Sequence, residues 1–179
     1  MRPLLLSLYL AACTTALVAA PRPGIENLAA TAARGKVSVK FTLRAAFSNS
    51  EMIEALKSGL PTSFTYVVEV FRDRPNWFDD TLARARIEVS CTFNSITREY
   101  LLSYRRDRHL VRSESFTDLA ALEQRMTTID EPDLFDVDGY KPYKLKVRVR
   151  ADLMRGWLFY VVPWDVTTHW REARVKAAE

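Results

Sequence analysis

Apolar and polar residues alternate with a period of two along much of this chain. A β-strand turns successive side chains to opposite faces, so this spacing marks strands with one buried and one wet face. Val37, Val39, Phe41, Leu43 and Ala45 alternate with Ser38, Lys40, Thr42 and Arg44. Within Ser63 to Phe71, Phe64, Tyr66, Val68 and Val70 form an apolar face, and Val67 and Phe71 imply partial burial of the other. From Leu82 to Phe93, Ala83, Ala85, Ile87, Val89, Cys91 and Phe93 oppose Arg84, Arg86, Glu88, Ser90 and Thr92. Arg98 to Tyr104 and His109 to Phe116 follow across short turns, the spacing of antiparallel hairpins. In the most regular strand, Tyr143, Leu145, Val147, Val149, Ala151 and Leu153 point inward while Lys144, Lys146, Arg148, Arg150 and Asp152 point outward. After Arg155-Gly156 a further apolar strand, Leu158 to Val162, is stopped by Pro163.

Two segments change period. Ser48-Asn49-Ser50-Glu51 is a capping box, Met52, Ile53 and Leu56 form a short stripe, and Gly59 and Pro61 end a helix there. A second helix is expected from Asp118 to Ile129, capped by Thr117, with Leu119, Leu122, Met126 and Ile129 at three- and four-residue intervals. Glu131-Pro132 ends it, and Asp130 to Asp138 reads as an acidic loop. Residues 21–36, Ala-rich and without a clear stripe, read as a linker. The expected fold is α+β and mainly β. It is an antiparallel sheet or sandwich of about seven strands, with two short helices packed against it, in a single domain over residues 37–175.

The longest apolar run lies in residues 1–20. Arg2 precedes Leu4 to Ala20, which ends in Val18-Ala19-Ala20, the layout of a secretory signal. Three fates are open. Cleavage after Ala20 places Pro21 just past the cut. Leu10-Ala11-Ala12-Cys13 matches a bacterial lipobox, in which Cys13 is lipidated. An uncleaved run of about 17 residues is at the lower edge of what spans a bilayer. All three place the domain in the cell envelope, as a periplasmic or membrane-anchored protein.

Composition sets further bounds. The chain has 179 residues, is 48% hydrophobic with five Gly, and can bury a substantial core. A net charge of +4 is weakly basic and suits an anionic partner without requiring one. Once a leader is removed, Cys91 is the only cysteine. Its place on an apolar strand face makes it a small buried hydrophobe rather than a nucleophile. His109 and His169 lack a metal-ligand neighbour at the usual spacing. Phosphate-binding glycine motifs are absent. Asp136-x-Asp138-Gly139 echoes a calcium loop without its remaining ligands. No cofactor and no metal are expected.

Two surfaces remain as leads. Lys144, Lys146, Arg148 and Arg150 line one strand face at about 7 Å intervals. That face is a candidate for binding an anionic surface, extended by Lys40, Arg44, Arg84 and Arg86 if their strands are neighbours. The competing expectation is a solvated face paired with Glu69, Glu88 or Glu99. The aromatic C-terminal segment offers Trp164, Trp170 and Arg171 as a candidate interface, or else it seals the core as a final strand. Nucleic acid is not an expected partner, because stacking aromatics are missing from the basic face.

Several short stretches together resemble a known family. These are Ser58-Gly59-Leu60-Pro61 with Phe64-Thr65-Tyr66, Arg72 with Trp77-Phe78-Asp79, and Pro163-Trp164-Asp165 with Trp170-Arg171-Glu172-Ala173. In this order they are similar to the bacterial exported family called domain of unknown function 4390, over about Lys36 to Arg174. The resemblance implies a bacterial envelope protein with no assigned activity, and supplies no catalytic residue. In some relatives the resemblance places the gene near nitrogen-regulation sensor-kinase genes, a faint hint of a signalling role. The functional expectation is a non-enzymatic binding or interaction module, with an envelope protein or an anionic membrane surface as partner. One alternative is an accessory or sensor subunit of a membrane signalling complex. Another is a hydrolase whose site assembles from His109, Asp79 and Ser113.

Overall fold

A computed structural model describes residues 21–48, 50–73, 80–154 and 165–178. The expected strand from Leu158 to Val162, the aromatic pair Trp77-Phe78, and the leader lie outside the described residues, as do Cys13, Asp79 and Trp164.

Among the described residues, ten strands and two helices follow in chain order. They are β1 (Gly24–Ala33), β2 (Lys36–Arg44), α1 (Ser50–Lys57), β3 (Thr62–Arg72), β4 (Asp80–Asn94), β5 (Glu99–Arg106), β6 (His109–Phe116), α2 (Leu119–Thr127), β7 (Thr128–Asp136), β8 (Leu145–Met154), β9 (Asp165–Thr167) and β10 (Arg171–Ala177). One sheet holds all the strands, in the order β6-β5-β4-β3-β8-β10-β1-β2-β7, with β9 added on β8. The fold is mainly β with two helices, as expected, but the sheet is mixed rather than purely antiparallel. β10 inserts between β8 and β1, antiparallel to the first and parallel to the second.

Besides β9 and β10 near the C-terminal end, two strands arise in segments read as linker and as loop. Residues 24–33, read as linker, form β1. Its inward residues are Ile25, Ala30 and Ala32, and a bulge between Glu26 and Ala29, with Asn27 at φ 53°, shifts the alternation midway. Small side chains and a broken period gave the strand no sequence signal. The acidic segment forms β7 at the end of the sheet. Pro132 is tolerated there because an end strand leaves one row of backbone groups unpaired, and the Asp133 N–H donates to Ser38 Oγ at 3.1 Å. α2 accordingly stops at Thr127, and Ile129 enters the sheet. Its cap is Asp118, whose Oδ2 accepts from the Ala121 N–H at 2.9 Å, rather than Thr117.

The sheet curls into a half-barrel. β2 and β3 stand four strand spacings apart in the sheet order, about 19 Å if it were flat. Yet Phe41 on β2 and Tyr66 on β3 meet edge to face, with ring centroids 5.3 Å apart. The inner face carries the core, and α1 and α2 add Met52, Leu56, Leu122 and Met126 to it. α1 ends as its sequence directs. Gly59 takes φ +85°, and the N–H groups of Gly59 and Leu60 donate to the carbonyls of Leu56 and Ala55 at 3.0 Å each.

The two ends of the sheet are joined by a polar network beneath α2. Tyr104 Oη on β5 donates to Glu131 Oε1 on β7 at 2.6 Å, and Arg106 Nη1 donates to Glu131 Oε2 at 3.0 Å. Arg125 on α2 grips Glu114 on β6 with Nε and Nη2, the shortest contact being 2.8 Å. Tyr66 Oη donates to the Met126 carbonyl at 2.7 Å. Burial, the carboxylate it donates to and the nearby charge of that carboxylate all push the Tyr104 hydroxyl far above its ordinary pKa.

Candidate functional site

The outer face of the sheet is built in rows, because residues paired across antiparallel strands share a face. On β4, β3 and β8 one row reads Arg84, Glu69, Arg148, and the next reads Arg86, Val67, Arg150. A third reads Glu88, Thr65, Asp152. β10 extends the first row with Glu172, opposite Arg148.

In the first row Glu69 has no exposed side-chain surface (0%), although it lies on the outer face. Arg84 Nε donates to its Oε1 at 2.5 Å, joined there by Arg84 Nη2, and Arg148 Nε donates to its Oε2 at 2.6 Å. Burial alone would raise the Glu69 carboxyl. The hydrogen bonds and charges of Arg148 and Arg84 outweigh it and hold the group below its ordinary value. Phe71 covers one side, with the Arg148 guanidinium 5.2 Å from its ring centroid.

Trp170 closes the site from the segment before β10. Its ring lies 5.0 Å from the guanidinium carbons of both Arg148 and Arg150, and the residue remains 38% exposed. Between these walls is a hollow of about 280 Å³, floored by Val67 and bordered by Glu69, Arg84, Arg86, Arg150, Asp152 and Trp170.

The basic strand and the C-terminal tryptophan, separate leads in the sequence, therefore meet at one place. The individual residues fare differently. Lys144 is exposed in a short 3₁₀ turn before β8, not on the strand. Lys146 pairs with Asp73 at 3.0 Å, and Arg150 Nε lies 3.3 Å from Asp152 Oδ1. Lys40 and Arg44 do not extend the patch. They are on β2 and pair with Asp130 at 2.8 Å and Glu26 at 2.6 Å. Arg84 and Arg86 do extend it, across β3. Glu69 is the expected pairing partner of the face, while Glu88 lies 4.0 Å from Arg105 instead. Arg171 opens β10 and is exposed. Among the described residues, the Arg86 guanidinium has no carboxylate partner.

Of the residues considered for hydrolysis, Asp79 lies outside the described residues, and His109 and Ser113 are not brought together. His109 and Ser113 stand four positions apart on β6, opposite Arg106 and Ser103 respectively. His169 and Ser48 share the wall of another hollow, of about 380 Å³, which among the described residues no carboxylate lines to orient an imidazole. Cys91 is buried on the inner face, and burial pushes its thiol up to about 12, where it is no nucleophile at neutral pH. The Asp136–Gly139 segment closes on itself, the N–H groups of Asp138 and Gly139 donating to Asp136 and Asp138 carboxylate oxygens at 3.1 and 3.0 Å. Among the described residues, no group of three or more His, Cys, Asp or Glu is placed to hold a metal ion.

A family model described as "Domain of unknown function (DUF4390)" matches residues 20–173. The chain belongs to that family. The DUF4390 match reaches further toward the N-terminus than the resemblance read from the motifs, and so takes in β1. No curated protein and no solved structure matches the chain.

Proposed function

We propose that this DUF4390 chain is a non-enzymatic binding module of the cell envelope, and that it meets its partner with the outer face of the sheet around Trp170. The leader-like pattern of residues 1–20 supports the location. One observation carries the binding reading: arginines from β4 and β8 converge with a half-exposed tryptophan on a single hollow. Arginine and tryptophan are the residue types that dominate binding energy at interfaces.

The pairing on this face favours a discrete acidic group on a protein over a bilayer. Attraction to anionic lipid sums over cations free to face it. Here Lys146, Arg148 and Arg150 each have a carboxylate within 3.3 Å. A photoreactive residue at position 174, on the outer face, should give a discrete adduct in cells that make the protein. The same probe at Leu110, exposed on β6, should give none. An adduct from position 110 alone, or from neither, would overturn the reading.

A further inference from the structure

We infer that Arg86, Val67 and Arg150 form a carboxylate pincer, whose ligand is a carboxylic acid supplied from outside the domain. This deepens the proposed binding role and rests on it for the partner.

The neighbouring row shows how such a pincer works. In Arg84–Glu69–Arg148 the central strand supplies a carboxylate, and the arginines on either side close on its two oxygens. Moving two residues along each strand gives Arg86–Val67–Arg150, with the same strands, the same register and the same outward direction. Successive rows are about 7 Å apart, and the flanking Cα atoms about 10 Å. The centre differs, and Arg150 has Asp152 beside it at 3.3 Å. Val67 presents an apolar floor where Glu69 presents an anion.

The second row is accordingly short of negative charge. Arg86 has no carboxylate partner among the described residues. Arg150 Nε is buried without a hydrogen bond, its 3.3 Å approach to Asp152 Oδ1 being poorly aligned, and Asp152 Oδ1 is itself unsatisfied. The hollow over Val67, about 280 Å³, has room for a carboxylate and a short carbon body. Trp170 gives that body a flat apolar wall. The guanidinium fork takes carboxylate and phosphate alike, and it is the apolar floor and the Trp170 wall that favour an anion carrying a carbon body.

The assignment has a test that needs no knowledge of the natural ligand. Val67→Glu gives the second row its own anion, and Val67→Gln gives it a neutral group of the same shape. At neutral pH the Glu variant should melt several degrees above the Gln variant, and the gap should close on acidification as the carboxyl takes up a proton. A Gln variant as stable as the Glu variant at neutral pH would overturn the pincer.

For the ligand, isotope-labelled full-length protein is titrated with N-acetylglutamate, with a short oligoglutamate peptide and with inorganic phosphate. The Arg86 Nε–H and Trp170 indole N–H resonances are followed. Both carboxylate probes should shift them in the millimolar range, and Arg86→Gln and Val67→Glu should abolish the shifts. Tighter binding of the peptide per carboxylate points to an acidic side chain of a polypeptide, and equal binding to a small free acid. No shift, a shift that survives Arg86→Gln, or an equal response to phosphate would each overturn the assignment. If the pincer passes while position 174 finds no partner, the site stands and the protein-binding reading falls. The reverse outcome removes the pincer alone.

Discussion

Glu69 shows how one side chain organises a surface. An anion with no exposed side-chain area is stable only while its partners hold it. Arg148 is itself 28% exposed, whereas Arg84 is 66% exposed and its contribution is screened by water. Glu69→Gln should therefore lose about 2 kcal/mol at neutral pH, measured by urea unfolding. Because the folded-state pKa lies below the unfolded value, this stabilisation is complete above the unfolded pKa and disappears as pH falls through the folded one. The gap between wild type and Glu69→Gln should thus be full at pH 7 and narrow below about pH 4. A gap that widened on acidification would refute the assignment. The period-two pattern placed Glu69 on a strand and among the pairing partners of the basic face. It did not disclose that Glu69 is fully buried, because that depends on Phe71 and on arginines from two other strands.

Among the elements, α1 was the most legible in sequence, since its stop signal is local. Gly59 adopts φ +85°, and a Cβ there would sit 3.4 Å from the Phe93 carbonyl. Gly59→Ala should lose about 1 kcal/mol, chiefly through the backbone conformation, and thermal melting would register it. β1 and β7 were illegible for opposite reasons. In β1 alanines carry too little contrast, and a bulge resets the alternation. In β7 the density of acidic residues imitates a solvated loop, and the buried Glu131 is accounted for only by Tyr104 and Arg106, from a strand near the other end of the sheet. Tyr104→Phe should cost about 1–2 kcal/mol by leaving one oxygen of that buried carboxylate without its donor. A variant as stable as the wild type in chemical unfolding would show that water replaces the hydroxyl.

For the molecule as a whole, pairwise hairpins could be read from turn spacing, but strand order could not. The hairpins β3–β4, β4–β5 and β5–β6 follow from neighbours in sequence, whereas β1–β2, equally local, was hidden because β1 read as linker. Nothing local says that β10 should run between β8 and β1, since Ala30 pairs with Val175 across most of the chain. For the same reason the candidate site was legible as two separate leads and not as one hollow. Trp170 reaches Arg148 and Arg150 only because the strand that follows it lies beside β8. A chain ending at Trp170 should lose cooperative unfolding in calorimetry, because β8 and β1 would each be left with an open edge.

β10 is the keystone of an arch. One block, β6-β5-β4-β3-β8, and another, β1-β2-β7, can each gather its own strands while the chain is being made. They cannot be locked together by backbone pairing until residues 171–177 have been synthesised. The finished sheet therefore waits on β10 in every copy, and the outer-face hollow beside Trp170 comes into being at that same moment. A nascent or stalled chain that lacks β10 has no such hollow, so recognition of the hollow is also recognition of a closed sheet.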